Sequence, residues 1–158
     1  MTEVRVRRLV EPTDAEVDAL AGLFDAYRAH YGEPVDPGGS RQWLAEHLRS
    51  GRLSAFVADL GGELVGFACT MDVPASLRLA HYWQVRDLFV VPGHRRVGVA
   101  RALLDVIRSA AAAAGALRLA VQTEDDNAIA RQLYEGIGFD VVEGYVGLTL
   151  PLVSGESG

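Results

Sequence analysis

The chain has 158 residues, of which 49% are hydrophobic and 23% charged, and its formal net charge at pH 7 is −6. These values predict one globular domain over residues 1–153 with a short frayed tail at 154–158. The acidic balance excludes non-specific nucleic-acid binding, and no apolar run reaches membrane-spanning length. We therefore expect neither a nucleic acid nor a membrane as a partner. A single cysteine, Cys69, excludes an internal disulfide. With the charged first residues, it predicts a cytoplasmic protein without a signal peptide.

The first quarter of the chain predicts one strand followed by two helices. Valines alternate with arginines over residues 4–10, which indicates a strand. Thr13, with Glu16 three residues later, forms a capping box and begins a helix that ends before Gly32. Apolar side chains at helical spacing around Trp43 predict the second helix.

The middle of the chain predicts a hairpin, a long strand and a long helix. Residues 53–60 and 64–71 are strand-like and flank a tight glycine turn. We expect a loop at 72–80 and a strand at 81–91. An alanine-rich helical pattern then covers residues 99–114.

The last quarter predicts a strand at 117–123, a helix at 127–135 and two further strands at 139–143 and 145–152. The complete order is β-α-α-β-β-β-α-β-α-β-β. Strand runs mixed with crossover helices indicate an α+β fold with a mixed sheet.

The turn after the 81–91 strand carries the most chemical information. It is basic, it contains Gly98, and it leads directly into the helix that begins at Val99. Free backbone N–H groups at a helix start, with the helix dipole behind them, bind phosphate without any side-chain charge. Glycine lets the backbone approach a phosphate closely. The turn therefore predicts a phosphate site, and a solvated surface turn is the alternative.

Other familiar sites do not match the residues present. A Walker loop requires Lys-Ser/Thr where this chain has Val99 and Ala100. No Gly-x-Gly-x-x-Gly follows the first strand, so a Rossmann dinucleotide site is not expected. The four histidines lack ligand spacing, so no metal is expected either.

Two motifs resemble the signatures of the GNAT N-acetyltransferase superfamily. The first, Arg95-x-x-Gly98-x-Ala100, fits that family's phosphate-loop pattern Gln/Arg-x-x-Gly-x-Gly/Ala. The second signature is matched by Asn127-x-x-Ala130-x-x-Leu133-Tyr134-Glu135-x-x-Gly138-Phe139. The resemblance covers nearly the whole element order. It implies a three-layer fold with a mostly antiparallel twisted sheet and helices on both faces, and acetyl-CoA or a related acyl-CoA as co-substrate without a metal.

The resemblance also implies where the donor binds. The strand before the phosphate loop would pair with the pantetheine arm beside a bulge, and the loop would hold the pyrophosphate. Asn127 would contact the pantetheine or the acceptor, and a helix N-cap is the alternative or additional role. The implied donor-binding residues are Leu88, Phe89, Val90, Arg95, Arg96, Val97, Gly98, Val99, Ala100, Arg101 and Asn127.

Tyr134 matches the family's general acid, because a positioned phenol can protonate the departing CoA thiolate. A core aromatic is the alternative for this residue. The base is less defined: Arg86 occupies a position where several relatives carry a glutamate. Asp87 beside it is our candidate base, although strand alternation points it to the opposite face unless a bulge intervenes. The alternative for Asp87 is a local capping or pairing role. In that case a chain of water molecules or a backbone carbonyl would take the place of a dedicated base.

The function implied is an acetyl-CoA-dependent N-acetyltransferase that acts on a primary amine by direct attack in a ternary complex. We expect a small-molecule amine as partner, and a homodimer is common among relatives. The alternatives are a non-catalytic acyl-CoA-binding regulatory module and a protein lysine or N-terminal acetyltransferase. Cys69 is expected in the core and not as a nucleophile. Candidate acceptor-lining residues, most of them expected to be packing residues, are Tyr27, Tyr31, Tyr82, Trp83 and Gln84.

Overall fold

The computed structural model describes residues 3–156. It divides into two compact units, Met1–Gln122 and Thr123–Gly158, which are described one after the other. The single domain over 1–153 stays a prediction. The last two residues of the expected tail at 154–158 lie outside the described residues.

In the described part of the first unit, five strands form one sheet with the order β1-β2-β3-β4-β5. All neighbouring pairs are antiparallel except β4 and β5, which are parallel. This confirms the prediction of a mixed, mostly antiparallel sheet in an α+β fold. The elements in chain order are β1 (Val4–Arg8), α1 (Asp14–His30), α2 (Pro37–Arg49), β2 (Ser54–Leu60), β3 (Glu63–Ala75), β4 (Ala80–Val90), α3 (Val99–Ala113) and β5 (Leu119–Val121).

Helices cover both faces of this sheet. On one face, Phe67 and Cys69 of β3 pack into a cluster with Leu20 of α1 and Leu44 of α2. On the other face, Gly66 lies so close to α3 that an added Cβ would be 3.0 Å from a side-chain carbon of Val99. Because neighbouring residues of a strand face opposite sides, β3 packs against helices on both faces of the sheet.

The expected loop at 72–80 is wrong for its first half. β3 continues to Ala75 and pairs with β4 over this stretch, from Asp72 with Trp83 to Ala75 with Ala80. The pairing with β2 ends at Thr70, so this part of β3 has only one neighbour within the sheet. An edge segment of this kind tolerates a proline, which lacks a backbone N–H to donate.

The second unit contains one regular element among its described residues, the helix α4 (Ala128–Ile137). The two strands predicted at 139–143 and 145–152 are absent from the described residues. A strand exists only where its backbone forms a ladder with a neighbour, and this segment forms none. The apolar alternation that suggested the strands lies on largely exposed side chains, including Val146, Leu148 and Leu150.

Candidate active site

β4 changes faces at a bulge around Arg86. Cys69 of β3 pairs with Asp87, whereas the next residue, Thr70, pairs with Val85, so Arg86 is an extra residue on β4. An extra residue reverses the alternation of side chains along a strand. Val85 therefore faces the α3 side of the sheet, and Asp87 faces the side covered by α1. This is the exception that the sequence analysis allowed for Asp87.

Beyond the bulge, β4 has an open edge. The parallel pairing with β5 ends at Val85. On the other side, the backbone N–H of Val91 donates to the carbonyl of Val65 at 2.9 Å, which makes the odd-numbered residues of this segment the ones that bond to β3. The N–H and C=O groups of Leu88 and Val90 therefore point away from β3. An extended chain can pair with such groups as an added strand.

At two of the predicted donor-binding residues on this strand, Phe89 and Val90, backbone groups already have partners within the protein. The register pairs Phe89 with Phe67, so the backbone groups of Phe89 bond to β3 and not to the open edge. The Arg95 Nε donates to the Val90 carbonyl at 2.9 Å, and its guanidinium lies 5.6 Å from the centre of the Phe89 ring. Arg95 thus ties the phosphate loop to the end of β4.

Helix α3 begins without a side-chain cap among the described residues, whereas side chains cap α1, α2 and α4. Its N-cap is Gly98, with a left-handed φ of 87° that glycine adopts without strain. The first backbone bond of the helix runs from the Ala102 N–H to the Gly98 carbonyl at 3.0 Å. The N–H groups of Val99, Ala100 and Arg101 therefore have no acceptor within the helix.

Positive charge surrounds this helix start. The side chains of Arg96 and Arg101 are exposed on either side of it. Arg96 itself has a φ of 63°, an uncommon value for a residue with a side chain. Val97, between this strained position and Gly98, is also exposed. The start of α3 therefore combines uncapped N–H groups with two exposed arginines, an arrangement that favours an anion.

Asp87 forms a hydrogen bond with α1. The Tyr27 hydroxyl donates to the Asp87 Oδ1 at 3.0 Å. Burial raises the pKa of Asp87 above its ordinary value, while the bond from Tyr27 and the charge of Arg86 oppose that rise. Burial, and then the nearby Asp87 carboxylate, raise the pKa of Tyr27 far above its usual range. Tyr27 therefore stays protonated and acts as the donor.

Tyr27, Tyr31 and Gln84, three of the predicted lining residues, lie on the α1 side of the sheet, as Asp87 does. Tyr31 is 57% exposed, and its ring packs edge-on against Tyr27 at 5.2 Å, so these two rings lie beside Asp87 on the α1 side. Gln84 pairs with Met71, which packs against the same cluster, and so lies on this face as well. Two aromatic rings and one side-chain amide thus lie on the same face of the sheet as Asp87.

The other two predicted lining residues lie on opposite faces of the sheet, because Tyr82 shares the face of Gln84 and Trp83 does not. Trp83 is on the α3 side of the sheet, 5% exposed, and packs against Phe56 under the guanidinium of Arg8. It is a core residue, because it precedes the bulge and alternation directs it away from α1. The Arg118 guanidinium lies over the Tyr82 ring, 4.2 Å from its centre.

A buried carboxylate that the sequence analysis missed holds the connection between α1 and α2. The Asp25 Oδ1 accepts hydrogen bonds from the Ser40 hydroxyl at 2.7 Å, from the Asp36 N–H at 3.1 Å and from Arg28 at 3.2 Å. These bonds, that of Ser40 first, lower the pKa of Asp25. The sequence signal was an acidic residue on the apolar face of α1, directly after Leu23 and Phe24.

In the second unit, Asn127 is the N-cap of α4. Its Oδ1 accepts from the Ala130 N–H at 3.1 Å, and its Nδ2 donates to Glu124 at 3.2 Å. Tyr134 is half-buried on the same helix, and its ring packs edge-on against Phe139 at 5.6 Å. Asn127 thus caps the N-terminus of α4, as one of the two expected roles for this residue required.

Neither a cysteine nucleophile nor a metal centre is found in residues 3–156. Cys69 is fully buried, and burial first, then Asp87, raise the pKa of its thiol. The thiolate, which is the nucleophilic form, is therefore suppressed. The described histidines, cysteines and carboxylates form no group of three that could hold an ion. No helix of the described chain has the length and apolar character to cross a membrane.

Comparisons with known proteins agree on one family. Residues 20–139 match the model of the acetyltransferase (GNAT) family. The "Uncharacterized N-acetyltransferase YhfO" of Bacillus subtilis (strain 168) is 33% identical over 132 residues, which are 84% of this chain and 89% of that protein. A solved structure described as a probable acetyltransferase is 33% identical with a TM-score of 0.86, over 94% of this chain and 98% of that one.

A more distant solved structure shares the fold. It is AAC(6')-Iy in complex with the bisubstrate analogue CoA-S-monomethyl-acetylneamine, with a TM-score of 0.75 at 20% identity. The match covers 94% of this chain and 99% of that one.

Proposed function

The chain belongs to the GNAT acetyltransferase family and is an acetyltransferase with an acyl-CoA as co-substrate, and from this premise we propose that it transfers an acetyl group from acetyl-CoA to a primary amine of a small molecule. The transfer is a direct attack within a ternary complex. The fully buried Cys69 supports this, because its suppressed thiolate leaves no cysteine to carry an acyl group. We include a cytoplasmic location in the proposal, since the chain has one free, reduced cysteine.

One observation carries the donor part of the proposal: the open edge of β4 leads directly to the uncapped start of α3. The N–H and C=O groups of Leu88 and the N–H of Val90 would pair with the amide-bearing pantetheine arm, while the Val90 carbonyl is bonded to Arg95. The N–H groups that follow Gly98 would bind the pyrophosphate, and Arg96 and Arg101 would add charge at its rim. The local positive charge of this site would attract a negatively charged cofactor even though the protein has a net charge of −6.

Asp87 is proposed as the base. A primary amine with an ordinary pKa of about 10.4 is mostly protonated near neutral pH and cannot attack until it loses a proton. The Asp87 carboxylate would accept that proton, and its raised pKa makes it a stronger base than an exposed aspartate. The freed nitrogen lone pair would then form the C–N bond at the thioester carbonyl.

Tyr134 is proposed as the acid. When the tetrahedral intermediate collapses, the C–S bond breaks and the CoA sulfur leaves with the electron pair. The Tyr134 phenol would donate a proton to this thiolate, and the second proton from the nitrogen would restore the phenol. The proton on Asp87 passes to solvent, so an ammonium and acetyl-CoA yield an amide, free CoA and one proton. The assignment of Tyr134 is supported by its place in the second family motif.

The proposed acceptor is a small amine. Support comes from AAC(6')-Iy, an aminoglycoside N-acetyltransferase solved with the bisubstrate analogue CoA-S-monomethyl-acetylneamine, and from the packed rings of Tyr27 and Tyr31, the first of which is hydrogen-bonded to Asp87. An aromatic face attracts an ammonium group and also packs against the apolar faces of rings.

Turnover across an amine panel tests this function. The purified protein is mixed with acetyl-CoA and, in turn, a polyamine, an aminoglycoside, an amino acid and a lysine peptide, and CoA thiol release is recorded with the mass of each product. We expect an acetylated product with at least one small amine. Acetylation of denatured cellular protein without any small-amine product would indicate a protein acetyltransferase. Acetyl-CoA binding without turnover on any acceptor would contradict the proposed reaction.

A further inference from the structure

We propose that Tyr27 is a positioning residue for Asp87: its hydroxyl orients the carboxylate so that one oxygen is held and the other faces the acceptor ammonium. This inference rests on the proposed role of Asp87 as the base. It adds a helix residue, outside both family motifs, to the machinery of proton transfer.

The geometry begins with the bulge. Because Arg86 is an extra residue, the Asp87 side chain turns towards α1 directly beside the open edge of β4. There the Tyr27 hydroxyl reaches Oδ1 at 3.0 Å. Oδ1 is engaged by this bond, so we assign the proton transfer to Oδ2.

Tyr27 is held from several sides, so its hydroxyl is a fixed reference point. Its ring packs edge-on against Phe67 at 5.5 Å and Phe89 at 5.7 Å, while Tyr31 packs against it at 5.2 Å. Phe67 and Phe89 are themselves paired across β3 and β4. A hydroxyl anchored by such packing selects one orientation of the carboxylate.

Few charged or titratable groups compete for Asp87. Tyr27 faces it from α1, Cys69 is paired with it from β3, and Arg86 precedes it on β4. The His30 ring of α1 lies 6.0 Å from the Phe89 ring. Both Tyr27 and Cys69 stay protonated, because burial raises the pKa of each. The titration of Asp87 therefore depends on its burial, on the bond that Tyr27 donates and on the charge of Arg86.

The sign of the expected effect follows from this bond. A hydrogen bond donated to a carboxylate stabilises the charged form and lowers its pKa. Without the Tyr27 hydroxyl, the pKa of Asp87 would rise further above its ordinary value. Because the base works as the carboxylate, the fall in activity at low pH would then begin at a higher pH.

The first measurement needs no acceptor. The aspartate carboxyl carbons of the free protein are labelled, and the titration of Asp87 is followed by carbon NMR, with Asp87→Asn used to assign the signal. We expect Tyr27→Phe to raise the pKa of Asp87 above that of the wild type, because the bond that stabilises the carboxylate is lost. Phe24→Leu is the matched control, since it removes a ring 6.1 Å from Tyr27 but leaves the hydroxyl in place. An unchanged titration in Tyr27→Phe would overturn the inference.

The second measurement is the pH dependence of kcat/KM, with acetyl-CoA and the panel amine that is turned over fastest. We expect Tyr27→Phe to lower kcat about 10-fold and to move the acidic limb to higher pH. The KM for acetyl-CoA should not change. In Phe24→Leu the acidic limb should stay where it is in the wild type. In an Asp87→Asn background, adding Tyr27→Phe should have no further effect on kcat.

The outcomes separate this inference from the proposed function. If Asp87→Asn loses the acidic limb but Tyr27→Phe behaves as the wild type, Asp87 is the base and the positioning role is wrong. If Asp87→Asn keeps both its rate and its acidic limb, the base assignment fails and the positioning role fails with it. In either case, turnover of the amine panel by the wild type decides separately whether the protein is an amine acetyltransferase.

Discussion

At the residue scale, Asp87 and Arg86 show what one extra residue does. Alternation along an ordinary strand would turn Asp87 away from α1, and the bulge at Arg86 turns it towards Tyr27. The sequence named Asp87 as a candidate, but the bulge was implied only by the family resemblance, without its exact position. A bulge is a property of the register between two strands, and the residues of one strand do not encode it alone. The bond to Tyr27 could not be predicted from the sequence either, because it also depends on a partner that lies 60 positions away in the chain.

The role of Tyr134 is tested at the same scale. Tyr134→Phe removes the proposed proton donor but keeps the ring that packs against Phe139. We expect kcat to fall about 100-fold, the lower end of what general acids contribute, with the Kd for CoA unchanged. Steady-state kinetics and calorimetry measure the two quantities. Tyr145→Phe, at a phenol that is 83% exposed in the same unit, is the control and should match the wild type. Wild-type turnover in Tyr134→Phe would remove the acid role.

At the element scale, the passage from β4 through the loop to α3 was the easiest to predict. The strand, the glycine N-cap and the helix follow from neighbouring residues, and the uncapped start of α3 is where the motif places the phosphate site. The open edge of β4 was less accessible, because it depends on where the pairing with β5 ends. The motif was therefore enough to predict where the proposed donor site begins, while the open backbone groups of β4 could be seen only in the sheet.

The start of α3 provides an element-scale prediction. Gly98→Glu places a carboxylate at the proposed pyrophosphate site and strains a left-handed backbone. We expect the Kd for CoA to rise about 100-fold or more, because a like charge beside the ligand is repelled. Calorimetry measures it. Gly115→Glu is the matched control: Gly115 follows the other end of α3, has a φ of 78° and equally open space, and should leave CoA binding intact. Intact affinity in Gly98→Glu would refute the placement of the pyrophosphate.

A second element-scale prediction concerns the contact between β3 and α3. A Cβ at Gly66 would lie 3.0 Å from the Phe89 carbonyl oxygen and 3.0 Å from Val99. We expect Gly66→Ala to lower the free energy of unfolding by about 1–3 kcal/mol, since the backbone and helix must move apart. Urea unfolding gives the value. Gly22→Ala, at an exposed position inside α1 with open space, should instead raise it by about 0.5–1 kcal/mol. Equal shifts in the two variants would show that the close approach does not limit packing.

At the scale of the whole molecule, local patterns were sufficient for the fold class and for the presence of the four α-helices of the described residues, although not for the start of α2 at Pro37. Caps such as Thr13 and Asn127 mark helix starts through neighbouring residues, and the structure contains both. The strands were less predictable, because each one depends on a distant partner. β3 extends beyond the expected end at Met71 because β4 pairs with it. Residues 139–152 alternate as strands do but form no ladder among the described residues.

The central claim is that the acetyl group passes from the thioester to the amine without resting on the protein. The most direct measurement follows an isotope-labelled acetyl group from acetyl-CoA, first with protein alone and then with an amine that the panel identifies. With protein alone, we expect the label to stay on CoA and the protein mass to stay unchanged. After the amine is added, the label should appear in the amide as free CoA is released. Label on the protein before the amine is added would contradict direct transfer.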